Sequence, residues 1–192
     1  MNFREHVASY TARTVEMLNS SAFEKVEVLA KELARAWRDD KAIYFCGNGG
    51  SAGNANHLAN DFTYGVGIKH GVGMRVESLS ANPSVLTCLG NDIGYDQIYA
   101  EQVRVKGRKG DLLVVFSGSG NSPNVVRALE TGNSIGMETF AILGFDGGRC
   151  KDLAHVPIHF EVNDMQISED LQLVVGHLVM QWLCDRGPSF GS

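Results

Sequence analysis

The 192 residues of this chain are enough for one domain with a substantial core, and its 44% hydrophobic content is ordinary for a globular protein. A formal charge of −5 without a Lys/Arg cluster argues against nucleic acid or an anionic membrane as the main partner, and so against a regulator with its own DNA-binding module. The lack of a transmembrane-length apolar run, and of a signal-peptide core behind Arg4, Glu5 and His6, makes a cytoplasmic protein the expectation.

From the N-terminus, residues 3–19 and 22–37 read as two amphipathic helices. In the second, Phe23, Val26, Leu29, Ala30, Leu33 and Trp37 recur at helical spacing and predict a stripe that packs on a sheet and a neighbouring helix. An apolar strand over 42–46 runs into a glycine-rich loop, 47–51, and a helix over 52–62. Residues 65–73 read as an exposed loop carrying His70, and 74–79 as a second strand. Asn82 is placed to cap a helix begun by Pro83. A helix is expected over 95–105, then a strand at 112–116, a Ser/Gly loop at 117–122, a helix over 123–133 and a strand at 138–143. A last strand at 156–160 precedes a helix over 168–184, and 187–192 reads as a loose tail. Cys46, Cys88, Cys150 and Cys184 lack C-x-x-C spacing and are expected to be buried thiols. Strands alternating with helices predict one doubly wound α/β domain over 1–192, with about five parallel strands and residues 1–38 as N-terminal helices.

Two stretches carry the chemistry. Gly47-Asn48-Gly49-Gly50-Ser51 and Ser117-Gly118-Ser119-Gly120-Asn121-Ser122 each join a strand to a helix. Such a unit aims backbone N–H groups and the positive end of a helix dipole at one spot, which suits an anion. Neither loop is a G-x-G-x-x-G or P-loop fingerprint. Their hydroxyls argue for a small phosphate ester held by neutral donors, in a site at the carboxyl ends of the strands. His57 and Asp61 lie four apart on the first of these helices and could bind a common metal. Glu169 and His177 lie eight apart on the terminal helix, on broadly one side.

Together with Asn56-His57-Leu58-Ala59, Leu89-Gly90-Asn91-Asp92 and Gly144-Phe145-Asp146-Gly147-Gly148, these motifs resemble the sugar isomerase (SIS) domain. The closer match is to the phosphoheptose isomerases, which act on sedoheptulose 7-phosphate, and it covers roughly residues 3–183. The resemblance implies a homotetramer with N-terminal helices at the interface, a sugar-phosphate substrate and one Zn²⁺ per subunit. It assigns metal binding to His57, Asp61, Glu169 and His177, the base role to Asp61 with Glu169 as alternative, and the acid role to His177. It assigns substrate contacts to Asn48, Gly49, Gly50, Ser51, Asn82, Ser117, Gly118, Ser119, Ser122 and Glu169. The implied reaction is a ketose-to-aldose isomerisation through an enediolate. Asp61 and Glu169 stand where the family has glutamate and glutamine, Asn54 and Asn82 where it tends to have aspartate, Gly118 where it has threonine, and Gln172 where it has a further histidine. Two other readings stay open: a non-catalytic SIS oligomer that associates with a replication initiator, and a SIS enzyme for another phosphosugar.

Overall fold

The computed structural model describes residues 1–188; the tail expected over 187–192 therefore lies mostly outside the described residues. Five parallel strands form one sheet in the order β2-β1-β3-β4-β5: β1 Ile43–Gly47, β2 Val76–Ser78, β3 Leu112–Ser117, β4 Glu138–Leu143 and β5 Val156–His159. β1 and β3 are buried along their whole length, as parallel strands covered on both faces must be. Alternate residues feed two cores. Ile43, Phe45, Val114 and Phe116 face α2 (Ala22–Arg38), α3 (Gly50–Asn60) and α8 (Met165–Arg186). Tyr44, Cys46, Leu113 and Val115 face α5 (Ala100–Lys106) and α6 (Pro123–Ile135). The chain winds outward from the β1–β3 pair in both directions, so the crevice at the carboxyl ends of these two strands is a topological switch point, where open α/β sheets take their ligands.

The α2 stripe is buried as expected, with Phe23 half-buried. The first helix, α1 (Phe3–Leu18), differs. Its start is fixed by a reciprocal cap, Glu5 N–H to Asn2 Oδ1 at 3.0 Å and Asn2 N–H to Glu5 Oε2 at 2.8 Å, yet none of its residues is buried. Polar ties hold it to the start of α8: Arg13 pairs with Asp164 at 2.6 Å, and the Tyr10 hydroxyl donates to Asp170. Burial, and then the Asp170 carboxylate, push the Tyr10 phenol up to about 12.

Several boundaries move for identifiable reasons. The expected 74–79 strand pairs only over Val76–Ser78, at the sheet edge. α4 (Pro83–Asp92) is capped by Asn82 as expected. The helix expected over 95–105 is broken into a 3₁₀ turn, Tyr95–Gln97, and α5. Ile98, Tyr99 and Ala100, at the junction between the two pieces, are all buried. α7 (Gly148–Leu153), a helix the sequence did not signal, separates β4 from β5. α8 starts at Met165 rather than Ser168, because Asp164 caps it by accepting from the N–H groups of Gln166 and Ile167. Gly187 is not loose: it is buried, closing α8 with its N–H on the Leu183 carbonyl. Of the cysteines, Cys46 and Cys150 are buried and Cys184 half-buried, but Cys88 is exposed.

Candidate functional site

The loop after β1 is one wall of the site. Gly49, at φ 57°, ψ −123°, turns the chain so sharply that α3 begins at Gly50, two residues earlier than the sequence suggested. Beneath the loop, the Tyr99 hydroxyl donates to the Gly47 carbonyl, and burial pushes that phenol up, so it stays a neutral donor. Asn48 and Asn124 exchange side-chain hydrogen bonds at 2.8 Å, tying the first loop to the first turn of α6. The second wall is the loop after β3. Ser117 Oγ accepts the Gly120 N–H at 3.0 Å, and the Gly144 N–H donates to the Gly118 carbonyl at 2.9 Å, so the 144–148 motif braces this wall from behind.

Between the walls lies a cavity of about 260 Å³, lined by Asn48, Gly49, Gly50 and Ser51 from the first loop and by Ser117, Gly118, Ser119 and Ser122 from the second. Phe116, Met165 and Glu169 complete the lining. Eight of the predicted substrate contacts are thus brought together with Glu169. Asn82 is not among them; its Oδ1 is engaged as the α4 cap, accepting from Ser84 and Val85. Sequence reasoning missed Met165, which enters the cavity because α8 starts a turn early; the signal that could have found it was Asp164 as an N-cap. Glu169 lies so close over the first loop that a Cβ built on Gly50 would overlap its carboxylate. It is the charged group among the described lining residues, so an anion here would rest on backbone N–H groups, hydroxyls and helix starts.

Farther along α3 and α8 a second group forms. His57 Nε2 is 3.0 Å from His177 Nε2 and 3.3 Å from Asp61 Oδ2, and His177 Nε2 is 3.6 Å from Asp61 Oδ2. The approach depends on Gly176, where any Cβ would overlap Leu58, the neighbour of His57; without a side chain there, the two helices close until the imidazoles meet. Asp61 starts a π-helical stretch, Asp61–Gly65, that continues α3 and that no sequence signal announced. Both imidazoles are about half exposed, whereas Asp61 is 19% exposed.

The donor set fits a zinc ion. Tetrahedral zinc with bonds of about 2.0–2.1 Å keeps its ligand atoms about 3.3 Å apart, and the three observed separations scatter around that value. The exposed side of the triad leaves room for a fourth ligand. Glu169 is outside this group of three, whose ligand atoms all lie within 4.8 Å of one another. It leans over Gly50 instead, so three of the four expected ligands are gathered in this structure.

A doubly wound sheet with a neutral-donor anion cavity at its switch point and an adjoining His/Asp triad defines a sugar-phosphate type of α/β domain. A family model described as SIS domain matches residues 6–144. A phosphoheptose isomerase of Chlorobaculum parvum is 35% identical over 177 residues, covering 90% of this chain and 83% of the relative. One from Desulfovibrio desulfuricans is 36% identical over 173 residues, covering 90% and 78%. The structure of phosphoheptose isomerase GmhA from Neisseria gonorrhoeae superimposes with a TM-score of 0.85 at 29% identity, over 96% of this chain and 100% of that one. The chain belongs to the SIS-domain family, among its phosphoheptose isomerases.

Proposed function

We propose that the protein isomerises sedoheptulose 7-phosphate to D-glycero-D-manno-heptose 7-phosphate. The observation that carries this reading is the convergence of His57 and Asp61, on the helix that leaves the anion cavity and its continuation, with His177 on α8. Seven residue steps of α-helix, from Gly50 to His57, rise about 10 Å, the order of the separation between the phosphorus and the C1–C2 pair of an extended heptose 7-phosphate. The phosphate occupies the cavity, and the reacting carbons reach the triad.

His57, Asp61 and His177 would hold zinc, which when bound polarises the substrate carbonyl and templates its two reacting oxygens. The Asp61 carboxylate moves the proton between C1 and C2. The His177 imidazole serves the oxygen that changes between carbonyl and hydroxyl. Glu169, at the phosphate end, contacts substrate.

The protein works in the cytoplasm as a homotetramer. α1 buries none of its residues and exposes Phe3, Val7 and Val15, while Phe23, Val26, Ala30, Leu178 and Trp182 line an apolar groove between α2 and α8. A helix this bare is marginal alone and calls for a neighbouring subunit; light scattering coupled to size exclusion reads the mass. No described helix is long and apolar enough to cross a membrane. Chromatographic separation of heptose phosphates, before and after chelation and zinc addition, tests the activity: the aldose should appear, vanish on chelation and return with zinc.

A further inference from the structure

Behind the first loop, two amides that the mechanism does not use are wired to Ser51. Asn54 Nδ2 stands 2.9 Å from the backbone carbonyl oxygen of Glu169, which can only accept. That contact fixes which end of the Asn54 amide donates. The same Nδ2 reaches Gln172 Oε1 at 2.9 Å, so the Gln172 amide is fixed in turn, with Nε2 aimed at Ser51 Oγ 3.0 Å away. Gln172 is 1% exposed and Ser51 4%, so water does not scramble the order. Every link is set by the one before it, back to a peptide carbonyl that cannot reverse.

The consequence falls on the Ser51 proton. A hydroxyl can present either a lone pair or a proton, and phosphate oxygens accept only the proton. With an N–H already donated to its oxygen from behind, Ser51 is left to donate forward, into the cavity it lines. We propose that Asn54 and Gln172 are positioning residues, a two-amide relay that holds the Ser51 hydroxyl proton toward the substrate phosphate. The proposal rests on the reading of the cavity as the phosphate site. The relay also joins α3 to α8, the two helices that carry the triad.

The test measures kcat and KM for sedoheptulose 7-phosphate and the inhibition constant of inorganic phosphate in Asn54→Asp, Gln172→Met and Ser51→Ala, alone and with each relay variant added to Ser51→Ala. Asn54→Asp keeps the shape but puts acceptors where the relay needs donors. Gln172 then turns its Nε2 toward the introduced carboxylate, and its Oε1 captures the Ser51 proton. Gln172→Met keeps the volume and removes the donor without adding a charge. Each should raise KM and the phosphate inhibition constant about tenfold with kcat within about twofold, since the phosphate is gripped equally in ground and transition states. Neither should add to the effect of Ser51→Ala. Effects of full size in the Ser51→Ala background, or a fall in kcat at unchanged KM, overturn the relay. If Ser51→Ala weakens phosphate while Asn54→Asp and Gln172→Met are both silent, the relay fails and the phosphate reading stands. If Ser51→Ala leaves KM and inhibition unchanged, the phosphate reading fails as well.

Discussion

The anion cavity and the His57–Asp61–His177 triad both draw on α3 and α8, but they are built in opposite ways. The cavity is made of backbone: tight loops, helix starts and short hydroxyls, each braced by contacts from behind, such as Tyr99 on Gly47 and Gly144 on Gly118. The triad is made of long side chains on separate helices, brought together by one missing Cβ at Gly176 and a π-helical stretch at Asp61. A site of the first kind keeps its turnover when one hydroxyl is lost and gives up only affinity, because several donors share the charge. A site of the second kind loses its function with any one member or with a shift of the helices.

The largest expected effect follows on the triad side. His177→Ala removes a triad member and the group that serves the oxygen, and should lower kcat by about 10³-fold or more, with zinc content by elemental analysis falling in parallel. Gly176→Ala touches none of the reacting groups, yet it forces α8 away from Leu58. Zinc affinity, read by competition with a chromophoric chelator, should drop by about 10- to 100-fold, and the melt should show about 1–3 kcal/mol of overpacking. A Gly176→Ala protein with normal zinc affinity would mean that the triad is less dependent on helix spacing than its geometry implies.

On the cavity side the effects are smaller and of either sign. Glu169→Gln removes the negative charge that lines the cavity, so KM and the phosphate inhibition constant should fall by about threefold at low salt, the gain shrinking as ionic strength rises. A large loss of kcat would instead return Glu169 to the chemistry. The smallest effect belongs to α1. The hydrogen bond from Arg13 holds Asp164 below the usual carboxylate range, opposed by burial and aided by the Ile167 N–H. A depressed folded value means that this pair stabilises the protein above the ordinary carboxylate range, near 4, and that the contribution is lost as pH falls through the depressed value. Arg13→Met should therefore lower the melting temperature modestly at pH 7, and the gap from the unmodified protein should close on acidification.

The same contrast explains what the sequence made legible. Glycines and serines at fixed offsets after apolar strands constrain backbone locally, so both walls of the cavity could be read from the chain, and strand–helix alternation pointed to the five parallel strands. Tertiary placement was harder. The i, i+8 spacing puts Glu169 and His177 on one side of α8 but about 12 Å apart along its axis. They could meet at one metal only by leaning toward each other, and Glu169 leans over Gly50 instead. Asp164 as a cap, the break at 98–100 and the π-helical stretch depend on what each segment packs against, and only Asp164 left a trace in residue type. Asn54 and Gln172 stood out as departures from the family pattern, but that they bond to one another was visible only once α3 and α8 lay side by side.

Proton NMR of sedoheptulose 7-phosphate in D₂O with the zinc-loaded protein tests the central claim most directly, because a proton moved through a solvent-exchanging carboxylate leaves deuterium behind. The aldose product should carry deuterium at C2, at a rate that falls with zinc removal and is lost in His177→Ala. Absence of both exchange and aldose at high protein concentration, with phosphate still binding in the cavity, would contradict the isomerase assignment.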